Sequence, residues 1–241
     1  MPRSVKDAKK MHMKQLVESI YQDLLPGLKI ESLNPYNLVV VHQIPQQWQL
    51  LGVGNYAAVL YHPSYPDLVV KIYAAGRPGF AQEVEVYRRL GDHPSFSKCL
   101  YVGEGFLILK RLRGITLYNC MYQGLRIPQQ VIHDIDSALD YARSRGLRPH
   151  DVHGRNVIMY AGRGFVVDVS DFLQEENCSA WNDLKKAYYW LYRPFLSPLR
   201  LRLPYFVLDI VRKIYRRYRK FYHFFYCLAT STLKRNQSKS N

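Results

Sequence analysis

The chain has 241 residues, 48% of them hydrophobic and 14% aromatic, a composition that excludes wholesale disorder and can fill a real core. Its net charge of +15 is uneven: residues 193–241 carry twelve Lys/Arg against the single acid Asp209, so the basicity belongs to the tail. Cys99, Cys120, Cys178 and Cys227 show no C-x-x-C spacing, which argues for reduced thiols in a cytoplasmic protein rather than a zinc site or disulfide frame. No apolar h-region opens the sequence, and no apolar run approaches the roughly 18 residues of a membrane span.

Residues 5–25 have helix-friendly composition, with Leu16, Ile20 and Leu24 at i, i+4, i+8, and Pro26-Gly27 should end that helix. Asn37 to His42 reads as a strand after the turn signal Asn34-Pro35. Residues 1–47 carry no evident chemistry. A cover for the following segment is the plain expectation, with a binding role for the first helix as the alternative.

Residues 52–59, G-V-G-N-Y-A-A-V, read as a strand, a glycine turn and a strand. Glycines there let backbone amides approach phosphate closely, although a hairpin turn alone would carry the same pattern. Asp67 to Tyr73 is a β-branched strand holding Lys71 between Val70 and Ile72. A lysine on a central strand needs a paired ammonium; on an edge strand it would simply snorkel out. The next helix, residues 79–91, places Phe80, Val84 and Tyr87 on one stripe with Glu83 beside it and Glu85 facing water, so Glu83 is the expected partner of Lys71. Two more strands follow, around Cys99–Val102 and Gly105–Leu109.

Residues 129–145 hold Val131, Ile135, Ala138, Leu139 and Ala142 at helical spacing and end at Gly146. A loop then brings Asp151 and, five residues on, Asn156. Strands at Val157–Met159 and Phe165–Val167, with Gly162 and Gly164 flanking the turn, form a hairpin that delivers Asp168. Asp151, Asn156 and Asp168 should therefore converge, and two carboxylates with an amide suit an oxygen-ligated Mg²⁺ beside a base.

As a set these motifs resemble the protein-kinase-like superfamily, covering about residues 48–185. The resemblance implies an α+β, two-lobed fold. A small β-rich N-lobe (48–113) and a reduced helical C-lobe (114–192) would follow the 1–47 helix/strand extension and precede a basic aromatic helix and tail (193–241). ATP and Mg²⁺ are the implied cofactors. Gly52, Val53, Gly54, Tyr56 and Val59 would cover the nucleotide, and Lys71, aimed by Glu83, would meet its α- and β-phosphates. Leu109 takes the gatekeeper position, Lys110 to Leu112 the hinge whose backbone reads adenine, and Ile158 the apolar position beneath the base. Asp151 would orient the acceptor hydroxyl and accept its proton, while Asn156 and Asp168 hold the metal.

The departures from the pattern are as informative. Ala57 replaces the third glycine, and Lys110 stands where an acid is usual. Pro149-His150-Asp151 lacks the arginine that pairs with a phosphorylated activation loop, Asp168-Val169-Ser170 loses the hinge glycine, and no A-P-E follows. The site should then be constitutively assembled. His153, two residues after Asp151, suits small-molecule phosphotransferases, whereas Arg155 decides nothing. Asp183 is the candidate for an acid that ties down the loop backbone, with a capping or solvated role as the alternative. The leading expectation is a kinase of protein Ser/Thr hydroxyls, the alternative a small-molecule or glycolipid kinase, and the third a pseudokinase scaffold.

Pro204 can start a helix in which Val207, Val211, Ile214, Tyr218, Phe221 and Phe225 form one stripe, opposite Arg212, Lys213, Arg216, Arg217, Arg219 and Lys220. The expected role of the stripe is docking onto the large lobe. An anionic membrane surface met through residues 204–228, which would put the protein at the inner membrane surface, comes second. Nucleic acid is the least favoured partner.

Overall fold

The computed structural model describes residues 5–34, 37–176, 178–215 and 217. From the N-terminus, α1 (Val5–Ser19) runs through a π-helical turn (Ile20–Leu24) into the short α2 (Leu25–Gly27). The chain then forms β1 (Lys29–Glu31), which pairs antiparallel with β2 (Val40–Gln43). The strand expected from Asn37 thus starts later and gains a partner that the sequence did not announce.

The small sheet consists of β3 (Gln49–Val53), β4 (Ala57–Tyr61), β5 (Leu68–Tyr73), β6 (Cys99–Val102) and β7 (Phe106–Lys110), all antiparallel in the order β3-β4-β5-β7-β6. β5 is therefore central. Side chains alternate across a pleated sheet, and the register sets Val59 opposite Lys71, Lys71 opposite Leu107, and Val69 opposite Leu109. One face thus presents Val59, Val69, Lys71, Leu107 and Leu109. The other presents Ala58, Leu60, Val70, Ile72, Phe106 and Ile108, which pack on Leu16, Ile20 and Leu24 of the N-terminal helix. Trp48 joins that layer and donates Nε1–H to Asp23 at 2.9 Å, so the extension covers the back of the sheet.

α3 (Phe80–Leu90) packs on the lysine-bearing side. Its buried stripe is Glu83, Val86, Tyr87 and Leu90, which keeps the expected Tyr87 but not Phe80 and Val84. The helix is rotated because Glu83 is drawn inward by two partners on β5, while Phe80 and Val84 sit at the margin of the core. Glu85 points outward, as read from the sequence, and pairs with Arg88 and Arg89.

Below the sheet come β8 (Ile115–Thr116), α4 (Leu117–Gln123), α5 (Gln129–Ser144), β9 (Val157–Tyr160), β10 (Arg163–Val166) and α6 (Ala180–Ala187), the last continuing as a π-helical stretch (Tyr188–Leu196). α5 buries Val131, Ile132, Ile135, Ala138, Leu139 and Ala142 in the main core. The β9–β10 turn is tighter than expected. Ala161 and Gly162, with φ of 47° and 75°, make a two-residue connection, and Gly164 lies inside β10 instead. A side chain at Gly164 would meet the Val131 carbonyl oxygen at 2.6 Å, so glycine is required there by the close approach of α5. Asp134 locks the same contact: it takes both Arg163 Nε and Nη2, at 2.7 and 2.9 Å, and the buried Gly164 N–H at 2.9 Å.

A last helix, α7 (residues 205–215), lies against α4. Leu208 is its buried residue; Val211 and Ile214 are 59% and 63% exposed. Of the expected docking stripe, Val207 is therefore half-buried while Val211 and Ile214 face outward, and its continuation at Tyr218, Phe221 and Phe225 lies outside the described residues. What turns the helix over is polar: Asp209 is claimed by Tyr118 and Arg155, and Tyr215 donates to Asp183. No described helix is long and apolar enough to cross a membrane.

Candidate active site

The site is built where the lysine-bearing face of the small sheet meets the β9–β10 hairpin. Lys71 is 9% exposed, and its Nζ lies 2.9 Å from Glu83 Oε1 and 3.2 Å from Asp168 Oδ1. Burial on its own would push the ammonium's pKa down, but the charges of Asp168 and Glu83 outweigh it and raise the value. Glu83 is fully buried and also accepts from the Tyr73 hydroxyl, two residues beyond Lys71 on the same strand face. Tyr73 was missed at the sequence level, although its i+2 spacing from Lys71 was the available signal.

Backbone bonds hold the polar loop and the hairpin together. Val167 N–H donates to the Asn156 carbonyl at 3.0 Å, which sets Asn156 beside the strand end that delivers Asp168. Asn156 Nδ2 donates to the Asp151 carbonyl at 3.1 Å, turning the amide oxygen the other way. Asp151 itself has φ of 53°, a left-handed conformation that costs a non-glycine residue and is characteristic of functional loops. Its carboxylate is 46% exposed and lies 3.6 Å from His153 Nε2. Arg155 N–H donates to His153 Nδ1, which leaves Nε2 as the ring nitrogen facing Asp151. Asp168 Oδ1 also accepts from Ser170 N–H at 3.2 Å. Burial raises the Asp168 pKa, but Lys71 and the Ser170 bonds more than offset it, so the carboxyl stays ionised.

The remaining expected residues divide. Val59 and Leu109 share the Lys71 face, and Val69, not singled out from sequence, sits between them opposite Leu109. Ile158 is buried on β9, and its Cδ1 lies 3.1 Å from where a Gly114 side chain would start. Lys110 ends β7, and Leu112 lies two residues beyond it. The Lys110 carbonyl already accepts from Ser97 Oγ at 2.6 Å, while its side chain is exposed. Gly52 opens onto free space, and Gly54 closes the turn through its N–H to the Ala57 carbonyl at 2.8 Å. Val53 is exposed on the edge strand β3. Tyr56 lines a cleft of about 350 Å³ with Gly79, Gln82, Ser170 and Asp171, so it lies toward α3 and the segment after Asp168. Burial, joined by the Asp168 and Asp151 charges, raises the Asp171 pKa.

Asp183 does not tie down the Asp151 loop. Its carboxylate accepts from Ser179 Oγ at 2.7 Å and the Tyr215 hydroxyl at 2.8 Å. The Asp151 N–H meets Cys178 Sγ at 3.3 Å instead. His150, standing where an arginine was looked for, has both ring nitrogens buried without a hydrogen-bond partner among the described residues.

A five-stranded sheet with a buried lysine–carboxylate pair, placed over a polar loop and hairpin, defines the class as a protein-kinase-like two-lobed fold. Over 167 residues the chain is 32% identical to the protein named "Putative serine/threonine-protein kinase YrzF" of Bacillus subtilis (strain 168), covering 69% of this chain and 72% of that one. Among solved structures, a mutant of the Mycobacterium tuberculosis PknI kinase domain is similar at a TM-score of 0.42 and 23% identity, with 65% of each chain covered. This chain therefore spans just under two thirds of that one. The unmutated PknI kinase domain gives a TM-score of 0.40 at 23% identity, covering 52% of this chain and 60% of that one. No family model matches. On the identity and coverage of the Bacillus relative, the chain belongs to the protein-kinase-like superfamily.

Proposed function

We propose that this protein transfers the γ-phosphoryl group of ATP, with Mg²⁺, to a hydroxyl of a protein serine or threonine. The observation that carries this reading is Lys71 braced between Glu83 and Asp168, which lie 12 and 97 residues away in sequence. An unpaired buried ammonium is costly, whereas one held by two carboxylates beside a glycine turn is poised for a polyphosphate.

The residues present fit both implied groups. Gly52 leaves open space over the turn, Asn156 has its amide nitrogen committed to Asp151 and its oxygen free to turn to a metal, and the Asp168 carboxylate is 37% exposed. Among the described residues no cluster of three or more His, Cys, Asp or Glu could hold a metal by itself, so phosphate oxygens and water would complete the shell. Bound Mg·ATP would supply the phosphoryl group and neutralise charge as it transfers. In this reading Lys71 holds the α- and β-phosphates, and Val59, Val69, Leu109 and Ile158 enclose the base. Asp151 orients the acceptor hydroxyl and takes its proton, and Asn156 with Asp168 holds the metal.

The serine/threonine acceptor is supported by the name of the Bacillus relative. A small-molecule or glycolipid acceptor is favoured by His153 beside Asp151. The test is γ-labelled ATP and Mg²⁺ added with the protein to a lysate fractionated into protein, lipid and small-metabolite pools. Label in Ser/Thr of the protein pool is expected. Label in another pool would select the second reading, and label no higher than with Asp168→Asn in any pool would leave a scaffold.

A further inference from the structure

α7 is amphipathic the wrong way round for a docked helix. At 100° per residue, Leu208, Asp209, Arg212 and Tyr215 share the inward arc. Asp209 Oδ1 accepts from the Tyr118 hydroxyl at 2.8 Å and from Arg155 Nη2 at 2.9 Å, and the Tyr215 hydroxyl reaches Asp183. The outward arc is apolar: Phe206 is 66% exposed, Ile210 50%, Val211 59% and Ile214 63%. Exposed Lys213 and Arg217 fall along one edge of this arc.

We propose that this outward face of α7 is a contact surface for an anionic phospholipid bilayer, on which the helix lies flat. Charge complementarity selects that occupant. The sole acid from residue 193 to the C-terminus is Asp209, and its carboxylate is turned inward and paired, so the exposed arc and its edge carry only positive charge. A second copy of the chain fits less well, because a two-fold apposition of this face would bring Lys213 and Arg217 against their own counterparts. A bilayer with anionic headgroups takes up apolar side chains at the acyl boundary and the cations at its surface. This surface differs from the stripe read from the sequence, since Phe206 and Ile210 belong to it. It does not depend on the proposed phosphotransfer.

The test uses the full chain floated with phosphatidylcholine vesicles, with and without phosphatidylglycerol. Wild type should co-float with the anionic vesicles and be released by salt. Ile210→Ser with Ile214→Ser should lower that partition by roughly ten-fold, and Lys213→Glu with Arg217→Glu several-fold. Because Ile210 and Ile214 are exposed, an unchanged melting temperature is expected and shows that lost binding is not lost folding. Equal binding to neutral and anionic vesicles, or binding unaffected by both double variants, overturns the proposal. So does a dimer in size-exclusion chromatography that Ile210→Ser dissolves, which would assign the face to self-association. A monomer that binds no vesicle would mean that the face is covered within the chain, and that too overturns it.

Discussion

Arg155, the residue before Asn156, reaches 2.9 Å to Asp209 on α7 while its guanidinium stacks 4.2 Å over the Tyr118 ring. The loop that carries Asp151 and Asn156 is thereby fastened to the C-terminal helix through one carboxylate, which Tyr118 also uses. Both partners of the ion pair are about two-fifths exposed, so its worth to global stability is small, about 0–1 kcal/mol. Its local effect is larger, because Asn156 inherits any motion of Arg155. Asp209→Ala should leave the denaturation midpoint nearly unchanged and lower phosphotransfer turnover several-fold. Steady-state rates beside chemical denaturation check this, and unchanged turnover would detach α7 from the site.

The Lys71–Glu83 pair sets a different balance. Glu83 is fully buried, and removing the ammonium alone leaves a carboxylate that still accepts from the Tyr73 hydroxyl. Breaking a buried pair from one side costs about 3–5 kcal/mol, less whatever is recovered when the carboxyl protonates. Lys71→Met should therefore abolish turnover and also lower the melting temperature, measured by calorimetry. Lys71→Met with Glu83→Gln should recover much of the stability and none of the activity. A single mutant as stable as wild type would show that the pair contributes little to folding.

Asp151 and Asp168 should separate in their effects. Asp151→Asn is expected to reduce turnover by roughly 10²–10⁴-fold with nucleotide affinity retained, the scale of a lost positioned base. Asp168→Asn also removes the second anchor of Lys71, which lies 3.2 Å away, and should weaken Mg·ATP binding itself. Isothermal titration with a non-hydrolysable ATP analogue distinguishes the two; identical affinities would contradict this division of roles.

Asp134 gives the fold an acid-sensitive joint. Burial raises its pKa, but bonds from Arg163, Gly164 and Gln130 overcome this and hold it down to about 2. A depressed folded-state pKa contributes stability that is complete above the unfolded value of about 3.9 and is lost as pH falls through the folded value. Stability should therefore decline between about pH 4 and pH 2 in wild type, and by less in Asp134→Asn. Asp134→Ala, which strands the buried Gly164 N–H, should cost about 1–3 kcal/mol at neutral pH. Urea titrations across that pH range measure both effects.

Local patterns carried much of the fold into the sequence. Alternation around Lys71, the Leu16/Ile20/Leu24 spacing and the α5 stripe each follow from a single element's period, and each element forms where its period indicates. The meeting of the Asp151 loop with Asp168 was also legible, because a hairpin joins its own ends. What the sequence could not decide were contacts made only by another element. The inward turn of Glu83 depends on Tyr73 as well as Lys71, and it rotates α3 off its own apolar stripe. Gly164 reads as a turn glycine until α5 presses the Val131 carbonyl against it. In α7 the apolar period pointed inward on paper. The partners that orient the helix, Tyr118, Arg155 and Asp183, lie 32 to 91 residues from the helix residues they bond, and hydrogen bonds to them outweigh the apolar stripe.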